Sequence, residues 1–105
     1  MRFEQALRLS IHLGHADVAH GRALSAEILR RAHQAGLRGA TTLQGIAGFG
    51  LSGRIHTTPT WGLVDRTPIT VYVVDAPERI RGFVAQLDDV SAQCRIVCDE
   101  VTLAI

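Results

Sequence analysis

Leu7, Leu9, Ile11 and Leu13 alternate with Arg8, Ser10 and His12. A period of two places the apolar residues on one side of an extended strand. After a polar turn region, Leu24, Ile28, Leu29, Ala32 and Ala35 recur at helical spacing, with Arg30, Arg31 and Gln34 opposite them. Gly36 follows where such a helix needs a left-handed stop. A second strand is expected over 38–47, then a long irregular connection over 48–67, a length that points to function or disorder. Ile69-Thr70-Val71-Tyr72-Val73-Val74 is β-branched and apolar on both sides, a third strand. Asp75 as cap, Pro77 in the first turn and Glu78 at the capping-box position predict the start of a second helix. Its apolar stripe is Ile80, Phe83, Val84, Leu87 and Val90, and a last strand is expected over 95–105.

This β-α-β-β-α-β order predicts an α+β, ferredoxin-like domain spanning 1–105, with two helices on one face of a four-stranded antiparallel sheet. The other face has no helix, and the third strand is apolar on both sides. Association of subunits is the simplest way to bury that face. Substituting Val71 or Val73 by Asp is therefore expected to dissociate or unfold the protein.

Composition narrows the chemistry. Hydrophobic residues make up 47% of the 105, which is high for so small a domain and again favours burial between subunits. The net charge of +1 implies no nucleic-acid partner. All 11 basic residues are arginine, which excludes a Schiff-base lysine and a phosphate loop ending in Gly-Lys-Ser/Thr. Cys94 and Cys98, if on one strand, lie about 13 Å apart and cannot bridge. Free thiols suit a reducing compartment, and Met1-Arg2-Phe3-Glu4-Gln5 lacks the apolar stretch of a signal peptide, so a cytoplasmic location is expected.

The densest run of glycines is Gly45, Gly48, Gly50 and Gly53, around Phe49 and just before Arg54. Glycines cost backbone entropy, and their clustering points to close backbone approach, positive φ or a hinge. As a nest of N–H groups, Gly48-Phe49-Gly50 suits a phosphate or an adenine; as a bulge it merely hinges the following loop. Arginines 38, 54 and 95, with His56, could supply charge for phosphate, although a surface arginine is usually just solvated. His12, His15, Asp17 and His20 crowd one region and carry ligand chemistry, but His12 and His15 fall on opposite faces of a strand. Ser52, His56 and Asp65 lack a nucleophile elbow, so no hydrolase triad is expected.

The chain resembles the PII-like superfamily, and within it the domain-of-unknown-function 190 family. The resemblance runs through Leu9-Ser10-Ile11-His12-Leu13-Gly14, His20-Gly21-Arg22-Ala23-Leu24, the block from Gly39 to Gly50, Ser52-Gly53-Arg54-Ile55-His56-Thr57 and the third strand. It implies a homotrimer with sheets turned toward the threefold axis, and clefts between subunits that take an adenine nucleotide such as AMP, ADP or cyclic AMP. The nucleotide-binding residues it suggests are Gly45, Gly48, Phe49, Gly50, Arg54 and Arg95. Residues 51–67 would correspond to the loop that reports ligand state to a protein or membrane-transporter target. The family implies no enzyme activity, no catalytic residues and no resident cofactor. Where PII proteins carry a phosphate loop with glycine and lysine, this chain has Ser91-Ala92-Gln93-Cys94-Arg95. The alternative reading is a trimeric metal-binding protein of the cation-tolerance type, which shares the fold.

Overall fold

The computed structural model describes residues 1–14, 17–49, 56–57 and 67–105, with 56–57 described for their backbone alone. Six main elements follow in order: β1 (Phe3–Gly14), α1 (Leu24–Gln34), β2 (Thr41–Gln44), β3 (Pro68–Asp75), α2 (Pro77–Ala85) and β4 (Arg95–Ala104). The sheet order is β2-β3-β1-β4 and every pairing is antiparallel. This is the expected ferredoxin-like arrangement.

The register explains the core. Leu9 faces Val73, Ile11 faces Val71 and Leu13 faces Ile69 across β1 and β3. All six side chains are buried, in one cluster with Leu24, Ile28 and Ala32 of α1 and Ile80 and Phe83 of α2. Burying each large side chain is worth about 1.5–3 kcal/mol, so this seam supplies much of the gain that offsets chain entropy.

β3 is not equally buried on its two faces. Val71 and Val73 point into the helix-covered core, while Thr70, Tyr72 and Val74 lie half-buried on the other side. The sequence expectation for Val71 and Val73 is therefore corrected: charge there breaks the core and says nothing specific about subunit contact. The helix-free face includes Thr41 and Leu43 of β2, Thr70, Tyr72 and Val74 of β3, Arg8, Ser10 and His12 of β1, and Arg95, Val97 and Asp99 of β4.

Helix ends follow local chemistry. Gly36 takes φ 72°, its N–H donates to His33 O, and Leu37 N–H donates to Ala32 O. These two bonds are a Schellman stop, with Leu37 packed on the core as its hydrophobic contact. At α2 the expected cap shifts by one residue. Ala76 is the N-cap, with Pro77 at the first turn and no side-chain cap bond. Asp75 instead ends β3, fully buried, and accepts hydrogen bonds from the N–H groups of Ala76 (2.7 Å) and Arg38 (2.9 Å). The apolar stripe of α2 continues past its end, through Leu87 into Val90 of a 3-10 turn (Asp88–Gln93).

β2 is shorter than the expected 38–47. Gly45 N–H still reaches Pro68 O in register at 2.7 Å, but Pro68 has no N–H to return the bond and the ladder ends there. Cys94 precedes β4 and is buried, whereas Cys98 lies within β4 and is exposed, so the two thiols do not lie on one strand.

Candidate functional site

The base of the 48–67 connection is built around Pro68. Alanine-sized side chains at Gly45 and at Gly48 would each come within 2.9 Å of its Cγ. Real Cβ atoms do not approach so closely, so glycine at both positions is dictated by the proline ring. Gln44 Nε2 donates to Thr67 Oγ1 at 3.0 Å, and Thr67 is fully buried. Ala47–Gly48 pairs with His56–Thr57 as a short ribbon. The two ends of the connection are thus clamped together. Phe49 stands 71% exposed just beyond the clamp. Gly50 and Arg54 lie outside the described residues, as does nearly all of 51–67.

Arg95 opens β4 at the same end of the sheet. It is the cross-strand neighbour of His12, whose other neighbour is Thr70. His12 Nδ1 lies 3.0 Å from Thr70 Oγ1. Burial lowers the His12 pKa, and the Arg95 guanidinium pushes it further down. The imidazole therefore lies between a hydroxyl and a cation on the helix-free face, a setting that disfavours its charged form. Below it on the same face, Arg8 donates to Asp99 from Nε (3.1 Å) and Nη2 (2.7 Å).

Of the suggested nucleotide residues, Gly45 and Gly48 come together with Pro68, but Arg95 stands apart from them. It opens β4, two strand spacings, or about 10 Å, from β3, whose Pro68 carries the clamp.

Among the described residues the histidines and acids near the start of the chain do not converge. His12 faces Thr70, Asp17 Oδ2 accepts from Gly14 N–H at 2.8 Å, and His20 Nε2 lies 2.9 Å from Asp89 Oδ2. Among the described residues no group of three His, Cys, Asp or Glu side chains is placed to hold a metal ion. His15 and the side chains of Ser52, His56 and Asp65 lie outside them.

The segment before β4 is built around ion pairs. It is a 3-10 turn whose Asp89 is held well below the usual carboxylate range, first by its hydrogen bonds with Arg31 and then by that with His20. This polar cluster was not legible as a site, because His20, Arg31 and Asp89 are distant in the chain. Only the Glu27–Arg30 and Glu27–Arg31 spacings gave a local signal.

The class the fold defines is a ferredoxin-like domain, with a long connection clamped at its base. Chain comparison agrees. CPII from Thiomonas intermedia K12, a nitrogen regulatory PII-like protein solved with ADP, AMP and bicarbonate, matches at a TM-score of 0.75 and 14% identity, over 99% of this chain and 92% of that one. A PII-like protein of Thermus thermophilus matches at 0.64 and 12% identity, over 100% and 93%. A UPF0166 protein of Aquifex aeolicus is 29% identical over 87 residues, 83% of each chain. The family DUF190, described as "Uncharacterized ACR, COG1993", matches residues 6–103, and the chain belongs to it.

Proposed function

We propose that this chain is a non-enzymatic PII-like regulator that binds an adenine nucleotide in clefts between the subunits of a homotrimer. The observation that carries the reading is the separation of Arg95 from the glycine clamp. Within one chain Arg95 opens the edge strand β4, while the clamp packs on Pro68 of β3, with β1 between them. An edge-to-edge neighbour would set Arg95 of one subunit beside Gly45, Gly48 and Phe49 of the next. The helix-free face gives the reason to associate, since it carries Leu43 at 54% exposure and Val97 at 43% beside the half-buried Tyr72. That the similar CPII was solved with ADP and AMP supports the nucleotide as ligand.

In this reading Arg95 and Arg54 meet the phosphates, and Gly50 lets the backbone approach the ligand. The 51–67 loop, tethered at Pro68, takes different states with and without nucleotide. It then engages or releases a protein target, which requires only that the ligand bind one loop state better. The target is a protein, soluble or in a membrane; no helix among the described residues is long and apolar enough to cross a membrane itself. A thermal-shift screen against AMP, ADP, ATP, cyclic AMP and divalent metals tests the reading, because specific ligands stabilise by mass action. Stabilisation by at least one nucleotide is expected; stabilisation by metals alone would overturn it in favour of the cation-tolerance type.

A further inference from the structure

On the helix side of the sheet, away from the open face, an open pocket of about 380 Å³ is lined by His20, Arg22, Glu27, Arg30, Arg31 and Asp89. Both acids are already engaged. Glu27, 2% exposed, accepts from Arg30 Nε at 2.8 Å and Arg30 Nη2 at 2.5 Å. Asp89 accepts from Arg31 Nη1 at 2.7 Å and Nη2 at 2.8 Å, with His20 on the same carboxylate. Three guanidiniums therefore face two carboxylates, and the positive charge left over belongs to Arg22. Among the described residues the Arg22 guanidinium makes no hydrogen bond or ion pair, although its charge is felt by Glu27.

Arg22 is also held in place. His20 and Gly21 have φ of 52° and 75°, the positive pair that a two-residue hairpin turn requires. They join Val18–Ala19 to Arg22–Ala23 in a short ribbon. Histidine in this backbone region is uncommon and costs strain. The His20–Asp89 contact fixes the turn against the 3-10 segment. Leu24 N–H, donating to Asp17 O at 2.8 Å, fixes the other end of the ribbon. A preformed turn thus presents an unpaired guanidinium at the lip of a positively charged pocket.

We propose that this pocket is a binding site for a small oxyanion, a phosphate or carboxylate group, with Arg22 as its principal recognition residue. Arg22 offers a two-donor fork to paired oxygens, while Arg30 and Arg31, anchored by Glu27 and Asp89, supply the surrounding field without moving. The site is independent of the proposed nucleotide cleft, which involves the opposite face and the Pro68 clamp.

The test is an amide-resolved NMR titration of the intact protein with sodium phosphate, sodium sulfate and sodium acetate at constant ionic strength. Saturable shifts confined to residues 20–22, 27–31 and 89 are expected at millimolar anion. Arg22→Gln should weaken binding about tenfold or more without changing the melting temperature, since the side chain is exposed and unpaired. Arg81→Gln, on the exposed side of α2, should leave binding unchanged. Preference for phosphate over acetate would assign a phosphoryl ligand, and equal binding a carboxylate-tolerant one; both support the site. Absence of saturation with all three anions would overturn it, as would unaltered binding by Arg22→Gln or equal loss with Arg81→Gln.

Discussion

Two aspartate substitutions, on β3 and on β4, separate folding from assembly. Val73 is 1% exposed and points into the helix-covered core opposite Leu9. Val73→Asp forfeits about 1.5–3 kcal/mol of apolar burial. It also buries an unpaired carboxylate, at a cost of about 3–5 kcal/mol. Asp75, two residues on along the same face and fully buried, adds like-charge repulsion. The total, about 5 kcal/mol or more, rivals the whole stability of a small domain. Val97 is 43% exposed on the helix-free face, opposite Ser10. In an isolated chain Val97→Asp loses only partial burial, about 1 kcal/mol or less. In a trimer closed by that face the charge would be trapped at the interface. Circular dichroism melts and light scattering are the assays. Val73→Asp should fail to fold. Val97→Asp should keep its strand signal and scatter as a single chain of 11.4 kDa. A Val73→Asp protein melting like the parent would refute the assignment of faces. A Val97→Asp protein that stays trimeric would refute the open face as the interface.

Gly45→Ala and Gly48→Ala each drive a Cβ to 2.9 Å from Pro68 Cγ and should cost about 1–3 kcal/mol in urea denaturation. In a Pro68→Ala background the loss should shrink, and purely additive effects would remove the proline as the cause. The His12 ring should titrate below 6.5 by NMR, and Arg95→Gln should raise its pKa only part of the way, because burial is the larger cause. Its folded pKa is the lower one, so its contribution to stability is complete above 6.5 and is lost as pH falls through the folded value. Asp89, also depressed, contributes stability above its ordinary value of 3.8 that is lost as pH falls toward its folded value, so Asp89→Asn should flatten the acid limb of a stability profile.

Much of the fold was legible because its signals are local. The alternation through Leu7–Leu13 and the Gly36 stop needed no tertiary information. The faces of β3 were not legible, since Tyr72 and Val74 are as apolar as Val71 and Val73 and only helix placement distinguishes them. Asp75 looked like a cap because Asx residues commonly precede helices; its carboxylate instead joins the α1–β2 connection to the start of α2 through Arg38 and Ala76. Clustered glycines suggested a backbone opened for a ligand, yet at Gly45 and Gly48 the close neighbour is a proline ring. The pocket around Arg22 was invisible because its charges come from a hairpin, a helix and a 3-10 turn far apart in sequence.

The most direct test of the central claim is isothermal calorimetry of the purified protein with ADP and AMP, with adenosine as the phosphate-free comparison. Saturable heat with one site per chain is expected, with Arg95→Gln weakening ADP by about 1.5–3 kcal/mol and adenosine far less. No heat with either nucleotide at millimolar concentration, or equal loss of ADP and adenosine in the Arg95 variant, would contradict the proposed phosphate contact across a subunit boundary.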